Sequence, residues 1–484
     1  MKINPVVFLV LLFIVSFSLR LFPLRDYCFW DECSYLQNAD VLFGFKDNNY
    51  DEFFYRPLLI SVFFGIGFIF WHHIFTASII TALLGSIGVI LFYFIGKEVY
   101  DERVGWVSAL IACFLPVLVS NSNNMLADAP GLTFLSISFY FFILFHKSKK
   151  PVFGYLSGIF VGLTILTRYA SLLYFLILFV VFSIFFIVYK RKDLIKSIFS
   201  KEPFIGASIV LFSYILSAFI LYGFDAIYLF HRAAYAVSGW DTPVLLYVNV
   251  LPQYFSLLIF AGFFFLIFYW FNKISKARKQ KLKIKVNISD LSFLIWFFVL
   301  FIFMCFTPHK EERYLLLPLT IPLILLGTRG VLLAYDYVDS NKNFLTKNLF
   351  FVIAFLLICF SFAPLIQGIN KPLFDYTIPE ERVIVETLKE KGYPNDTIIY
   401  SNFLFPLYAY YSNFRVLTFY QSEFRFFKYY DFINELGFFV YYKNSNFAPG
   451  VEWFNQRPEF TYFMDTNNIV VYKFDPSKKL IKAG

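Results

Sequence analysis

The sequence predicts an α-helical polytopic membrane protein with a small α/β domain at its C-terminal end. Three observations carry this expectation. Of 484 residues, 59% are hydrophobic and only 15% are charged, whereas soluble domains carry about 25% charged residues. Apolar runs long enough to cross a bilayer, about 20 residues each, recur through the first 370 positions. The remaining segment, 370–484, is less apolar and holds signals of soluble-type elements. The same composition excludes a disordered or fibrous chain, because disorder requires polarity that is missing here.

Candidate spans begin near Pro5, Phe75, Val104, Pro130, Val152, Tyr169, Pro203, Leu251, Leu291, Tyr314 and Asn348, eleven in all. The first run, from Pro5 to Phe22, is long for the apolar core of a signal peptide and no small-residue cleavage site follows it, so it reads as a retained span. Segment 58–71 has only 14 residues and ends in Trp71-His72-His73. It is either a short span or an interfacial segment, and the basic residues decide. With Lys2 inside and 58–71 not crossing, the inside loops hold 21 Lys and Arg, while the outside loops before residue 370 hold eight. A crossing at 58–71 would move nearly every later basic cluster outside. The positive-inside bias therefore favours an interfacial or re-entrant segment. Residues 152–189 must then form two short spans that turn at Thr167-Arg168-Tyr169. The expectation is an integral protein of the plasma membrane, of a prokaryote, with a cytoplasmic N-terminus and an extracytoplasmic C-terminus.

A division into a transmembrane domain, 1–369, and an extracytoplasmic α/β domain, 370–484, follows. In the second, Pro379-Glu380-Glu381 opens a helix that Lys389, Lys391 and Gly392 close. Thr397-Ile398-Ile399-Tyr400, 437–442 and Ile469-Val470-Val471-Tyr472 read as strands. The net charge, 42 − 33 = +9, serves to orient a membrane chain rather than to bind nucleic acid. Five cysteines form no disulfide framework. Cys113, Cys305 and Cys359 lie in apolar runs as small hydrophobes, while Cys28 and Cys33 flank an acidic motif at a spacing that allows pairing outside the cell.

Polar groups inside or beside the membrane are costly and mark function, and four such groups fall on the expected outer side. Phe29-Trp30-Asp31-Glu32-Cys33 follows the first span. One of its two carboxylates is suited to act as general base and the other to orient it; the plainer alternative is a solvated acid pair. Asp128, before Pro130 and a new apolar run, is either an acid facing a cavity or an ordinary N-cap. His309-Lys310-Glu311-Glu312-Arg313 concentrates five ionisable residues between two spans. Its cations suit a phosphate and its acids a hydroxyl-rich substrate, although a self-neutralising loop has the same composition. Arg56 and Arg168 are lipid-phosphate contacts or snorkelling residues. The P-loop, the G-x-G-x-x-G turn, H-E-x-x-H and zinc-like Cys/His spacings do not occur. The loops expected inside are too short to form a nucleotide-sugar domain, so any substrate must arrive on the outer face, where a lipid carrier can supply it.

These residues resemble a known family. Asp31-Glu32 in a first outer loop is similar to the layout of the GT-C superfamily of polyprenyl-phosphate-sugar glycosyltransferases, and the chain as a whole looks like protein O-mannosyltransferases and aminoarabinose transferases. Arg56-Pro57-Leu58 sits where such enzymes carry a Pro-Pro-Leu-like segment, and 125–130 resembles their acid-containing second outer loop. His309-Lys310-Glu311-Glu312-Arg313-Tyr314 is similar to the His-Lys-Glu-x-Arg-Phe motif of dolichyl-phosphate-mannose-dependent mannosyltransferases, with Tyr314 for Phe. The resemblance covers roughly 1–370 in layout, and only the last motif is specific.

The resemblance implies a GT-C fold and an inverting transfer of a sugar, mannose by preference, from a polyprenyl- or dolichyl-phosphate carrier to an acceptor hydroxyl. Asp31 would be the base, Glu32 its helper or alternative, and Asp128 an orienting acid. Arg313, Lys310 and His309 would hold the phosphate, with Glu311 and Glu312 beside them and Arg56 and Arg168 as further contacts. The partners implied are the lipid-linked donor, a protein, glycolipid or glycan acceptor, and membrane lipid. No cofactor is implied, and no metal is required by the motifs. A transporter or flippase of a lipid-linked solute is the alternative, against which stand the lack of repeated halves and the few charges within spans; a non-catalytic assembly protein of the same fold is a third reading. Asn395-Asp396-Thr397 is an outer sequon, whereas Asn287-Ile288-Ser289 falls inside and is expected to be unmodified.

Overall fold

Among the described residues, most of the apolar sequence lies in helices. The computed structural model describes residues 4–49, 56–223, 227, 242–280, 287–340, 344–369, 374–375, 377–401, 403–418, 430–443 and 450–479. Lys2, Arg232, Lys281, Lys283, Lys285 and Lys342, which entered the count of basic residues, lie outside them. Among the described residues seven helices are long and apolar enough to span a membrane: Ile74–Val99, Asp128–Ser148, Ser171–Val188, Lys192–Ile220, Leu257–Lys279, Ile288–Cys305 and Glu312–Ser340. Glu102–Phe114 and Pro116–Asn123 qualify as a pair bent by 54°. Shorter apolar helices occupy Pro5–Leu21, Leu59–Phe70, Pro151–Thr167 and Asn348–Ser361. The protein is thus an α-helical polytopic membrane protein with a small C-terminal α/β region. The span expected from Leu251 begins later: Pro252 lies in a separate helix, Leu246–Phe255, and Ser256 at φ +81° breaks the chain before Leu257.

The described chain divides into two compact units. The first comprises residues 1–24 and 78–373. Its bent pair shows how an interrupted helix is tolerated in apolar surroundings. Pro116 has no N–H to donate, and the carbonyls of Ala112 and Cys113 lose their helical partners. Arg20, 1% exposed, donates to both, at 2.9 and 3.0 Å, and to Ser16 Oγ at 2.8 Å. Asn123 at the far end of the pair donates to the carbonyls of Arg20 and Pro23 at 3.2 and 3.1 Å, which ties the second half to the first helix.

Close helix crossings in this unit depend on missing side chains, as expected where lipid offers no hydrophobic drive for association. A Cβ on Gly330 would collide with the carbonyl of Gly262, and one on Gly262 with that of Gly327. A Cβ on Gly158 would likewise meet the Pro203 carbonyl. Charge marks both ends of the bundle. Asp128 opens helix Asp128–Ser148 and Lys147 closes it, bonded to Glu98 at 2.8 Å. At 1.5 Å per residue these 21 residues separate the charged layers by about 30 Å, the thickness of a hydrocarbon core.

The second unit comprises residues 25–77 and 374–484. The division expected from sequence assigned 25–77 to the transmembrane part, whereas these residues pack with the C-terminal region. A five-stranded sheet runs in the order Arg415–Thr418, Ile398–Ser401, Gly437–Tyr442, Ile469–Phe474 and Phe460–Asp465. The first three strands are parallel and the last two pair antiparallel. Its core is aromatic: Tyr400, Phe439, Phe454, Phe460, Tyr472 and Phe474 cluster there. Helix Asp31–Leu42 packs on Phe405–Tyr411, and the loop after it supplies the seal. Lys46 donates to the carbonyls of Ala409 and Tyr410, and Asn49 to those of Ala409, Ser412 and Phe414. Those of Ala409 and Tyr410 are orphan carbonyls in the last turn of helix Phe405–Tyr411, which need partners, and those of Ser412 and Phe414 belong to the segment that follows it. Helix Glu380–Glu390 ends at Gly392, φ +76°, as the sequence implied.

Gly330→Val is expected to destabilise the first unit by about 1–3 kcal/mol through overpacking. Thermal unfolding in detergent should show a lowered Tm, and an unchanged Tm would contradict this crossing.

Candidate active site

Each unit organises its own set of ionisable residues. In the second unit the set lies in the first turn of helix Asp31–Leu42, preceded by a loop that Cys28 and Cys33 close as a disulfide, Cα atoms 5.2 Å apart. Asp31 is 5% exposed and forms an ion pair with Arg56. Glu32 is differently engaged. Its Oε1 lies 2.6 Å from Arg25 and its Oε2 accepts the Phe29 N–H at 3.0 Å. The second contact closes the helix entry in the manner of a capping-box carboxylate, so Glu32 shapes the turn that presents Asp31.

In the first unit the set gathers where three helices end. Asp128, 2% exposed, is the first residue of its helix. The residue at the N-cap position is Ala127, and no side chain caps the helix. The Asp128 carboxylate instead forms an ion pair with Arg168, which follows helix Pro151–Thr167, and its Oδ2 lies 3.9 Å from Arg313. A carboxylate so withdrawn from water requires cationic partners.

The Arg168 guanidinium sits 4.1 Å from the centre of the Tyr314 ring, a cation–π contact that holds the side chain over an aromatic face. Arg313 Nε is 2.5 Å from Glu311 Oε2, while His309 Nε2 and the Tyr314 hydroxyl lie 2.9 and 2.7 Å from Oε1. Burial pushes the Glu311 carboxyl up, but the bonds from His309, Arg313 and Tyr314, with the Arg313 charge, outweigh it and hold the group well below the usual carboxylate range.

Lys310, 6% exposed, donates to the carbonyls of Thr307 and Thr242 at 2.6 and 3.0 Å, and so fastens the loop. Glu312 is exposed. Three cations (Arg168, Lys310 and Arg313) are matched in number by three carboxylates (Asp128, Glu311 and Glu312), and it is Arg168 and Arg313 that converge on buried Asp128. Among the described residues, no group of three or more His, Cys, Asp or Glu is placed to hold a metal ion.

Comparison with solved structures places this architecture. ArnT from Cupriavidus metallidurans bound to undecaprenyl phosphate superimposes with a TM-score of 0.66 at 12% identity, covering 96% of this chain and 97% of that one. The chain has the GT-C fold. Archaeal oligosaccharyltransferase AglB from Archaeoglobus fulgidus, in complex with an inhibitory peptide and a dolichol-phosphate, matches at 0.61 and 11% identity, over 99% of this chain and 75% of that one. Arabinofuranosyltransferase AftD from Mycobacteria matches at 0.56 and 12%, over 98% and 42%. The sequence profile of the dolichyl-phosphate-mannose-protein mannosyltransferase family matches residues 56–222, a stretch that contains Arg56, Asp128 and Arg168. No curated protein sequence matches the chain.

Within this GT-C fold, the residues singled out in the sequence fall into two groups: Asp31, Glu32 and Arg56 in one unit, Asp128, Arg168 and 309–313 in the other. Sequence reasoning missed the roles of Arg25 and Tyr314. Arg25 stands seven positions before Glu32, and that spacing carries no pattern. Tyr314 was visible as a ring in place of Phe, but its contact with Arg168 spans 146 positions.

Arg168→Met is expected to cost roughly 3 kcal/mol, because it strands a buried carboxylate. Adding Asp128→Asn should recover part of that loss by removing the stranded charge. Melting temperatures of the two single variants and the double variant check this, and strict additivity would contradict the pairing.

Proposed function

We propose that the chain is an integral-membrane glycosyltransferase that moves a sugar, mannose by preference, from a polyprenyl- or dolichyl-phosphate carrier to an acceptor hydroxyl on the extracytoplasmic face. The observation that carries the reading is the pairing of buried Asp128 with Arg168 and Arg313, a preorganised cationic group of the kind that binds a leaving phosphate. The fold shared with lipid-phosphate-bound ArnT and AglB supports the donor class. The partial match to the mannosyltransferase profile, together with 309–314, supports mannose.

In this reading an Asp31 carboxylate oxygen takes the proton of the acceptor hydroxyl, and Arg56 orients that carboxylate. The freed oxygen forms a bond to the anomeric carbon as the bond from that carbon to the phosphate oxygen breaks. The electron pair leaves with the lipid phosphate, whose charge Arg168 and Arg313 meet. Attack opposite the leaving group inverts the anomeric centre. Glu32, held by Arg25 and the Phe29 N–H, positions Asp31. Lys310 and His309 hold the loop on which Arg313 stands. The basic residues of the sequence support a cytoplasmic N-terminus, and the Cys28–Cys33 disulfide supports an oxidising, extracytoplasmic compartment for the second unit.

The test is incubation of the purified protein with polyprenyl-phosphate mannose and a panel of acceptors, following release of lipid phosphate and gain of mass on the acceptor. Asp31→Asn should lower the rate by about 10²–10⁴-fold and leave donor affinity intact. Arg313→Ala should weaken donor binding by roughly 10-fold or more. Solute flux without bond cleavage would instead make the protein a transporter, and full activity of Asp31→Asn would remove Asp31 from the mechanism.

A further inference from the structure

Two residues of the second unit adopt backbone conformations that bulky L-residues avoid, and they belong to segments that touch. Trp30, immediately before Asp31, has φ +30° and ψ −99°. Leu404, between Phe403 and Phe405, has φ +46° and ψ +27°. Each such conformation costs about 1–3 kcal/mol and persists only where the surroundings over-determine it. The surroundings here are specific. The Trp30 ring lies 5.0 Å from that of Phe403 and 5.7 Å from that of Phe405, at interplanar angles of 65° and 60°. Phe403 rests edge-on against Tyr442 at 5.3 Å. Tyr442 is itself fixed, since its hydroxyl donates to Glu381 at 2.9 Å and lies 3.0 Å from that of Tyr408.

Core packing does not account for this arrangement. Trp30, Phe403 and Phe405 all remain partly exposed, and neighbouring Phe29 is 57% exposed, so the strain holds rings at a surface rather than in an interior. Trp30 directly precedes Asp31, the residue assigned as base.

We infer that Trp30, Phe403 and Phe405 form the acceptor platform of the transferase, and that the acceptor they select is a carbohydrate, whose ring stacks on the Trp30 indole while one of its hydroxyls reaches Asp31. This rests on the reading of Asp31 as general base. A sugar ring combines an apolar C–H face with hydroxyls at its rim, which matches a flat electron-rich ring next to a proton acceptor. A serine or threonine side chain offers a hydroxyl but no flat face for the indole. The C-terminal segment, through Phe403 and Phe405, thereby sets acceptor specificity.

The test compares a mannose-terminated oligosaccharide with a serine-bearing peptide as acceptors for the full-length protein, with polyprenyl-phosphate mannose as donor. Trp30→Gly removes the ring and relaxes the backbone, since glycine tolerates positive φ. A merely structural Trp30 would change the stability of this variant and leave its kinetics unchanged. The inference instead expects the oligosaccharide KM to rise about tenfold, kcat to stay within about threefold, and the donor KM to hold, with Trp30→Phe recovering most of the loss. If Trp30→Gly fails to fold, Phe405→Leu carries the test with an acceptor KM raised about threefold. An unchanged acceptor KM, or transfer by the wild type to the peptide alone, overturns the platform and leaves the glycosyltransferase reading standing. Absence of transfer to any acceptor by the wild type overturns that reading itself.

Discussion

A carboxylate withdrawn from water in apolar surroundings must meet a cation or lose its charge, and much of the first unit follows from how Asp128 meets this demand. Arg168 and Arg313 arrive from the ends of two other helices. Tyr314 backs one guanidinium and Glu311 anchors the other. The turn at 168–170 and the irregular residues before Leu316 are therefore more than connections, because each delivers a cation to one acid. Ion pairs and a cation–π contact fix these charges in place, and fixed charges stabilise a developing anion without reorganisation. The broken pair Glu102–Phe114 and Pro116–Asn123 obeys the same constraint with a neutral partner, its freed carbonyls being met by buried Arg20.

The second unit answers a related problem with backbone groups. The end of helix Phe405–Tyr411 exposes carbonyls that Lys46 and Asn49 satisfy from the loop after helix Asp31–Leu42. Tyr411 accepts the N–H of Cys28 at 3.1 Å, and Arg382 reaches Asp26 at 3.4 Å. The strand-bearing region is thus built into the segment that carries Asp31, and the two share one core of contacts. An appended domain would leave that segment unsupported.

The fold class was legible because composition and apolar run length are decisive for a membrane chain. Each expected span start falls in or next to an apolar helix, and the turn at Arg168 splits 152–189 into Pro151–Thr167 and Ser171–Val188. The misplaced start at Leu251 has a local cause, since an apolar run does not announce a positive φ at Ser256. The charged positions were legible as interruptions of apolar sequence, but their partners were not. An N-cap for Asp128 was the reasonable local reading, and only the fold brings Arg168 to it from 40 positions away. In sequence Lys310 is a cation suited to a phosphate, and only the fold shows it buried against carbonyls, one of them 68 positions distant. The membership of 25–77 in the C-terminal unit was illegible for the same reason, since the bonds from Lys46 reach across more than 360 positions. Local patterns report what a residue needs, and the fold decides which group supplies it.

The central claim is that Arg168 and Arg313, gathered around buried Asp128, are placed to receive the phosphate of a lipid carrier. The most direct measurement is an experimental structure of the full chain with a bound polyprenyl phosphate. The account predicts a phosphate within hydrogen-bond reach of Arg313 or Arg168. A phosphate seated elsewhere would contradict the account.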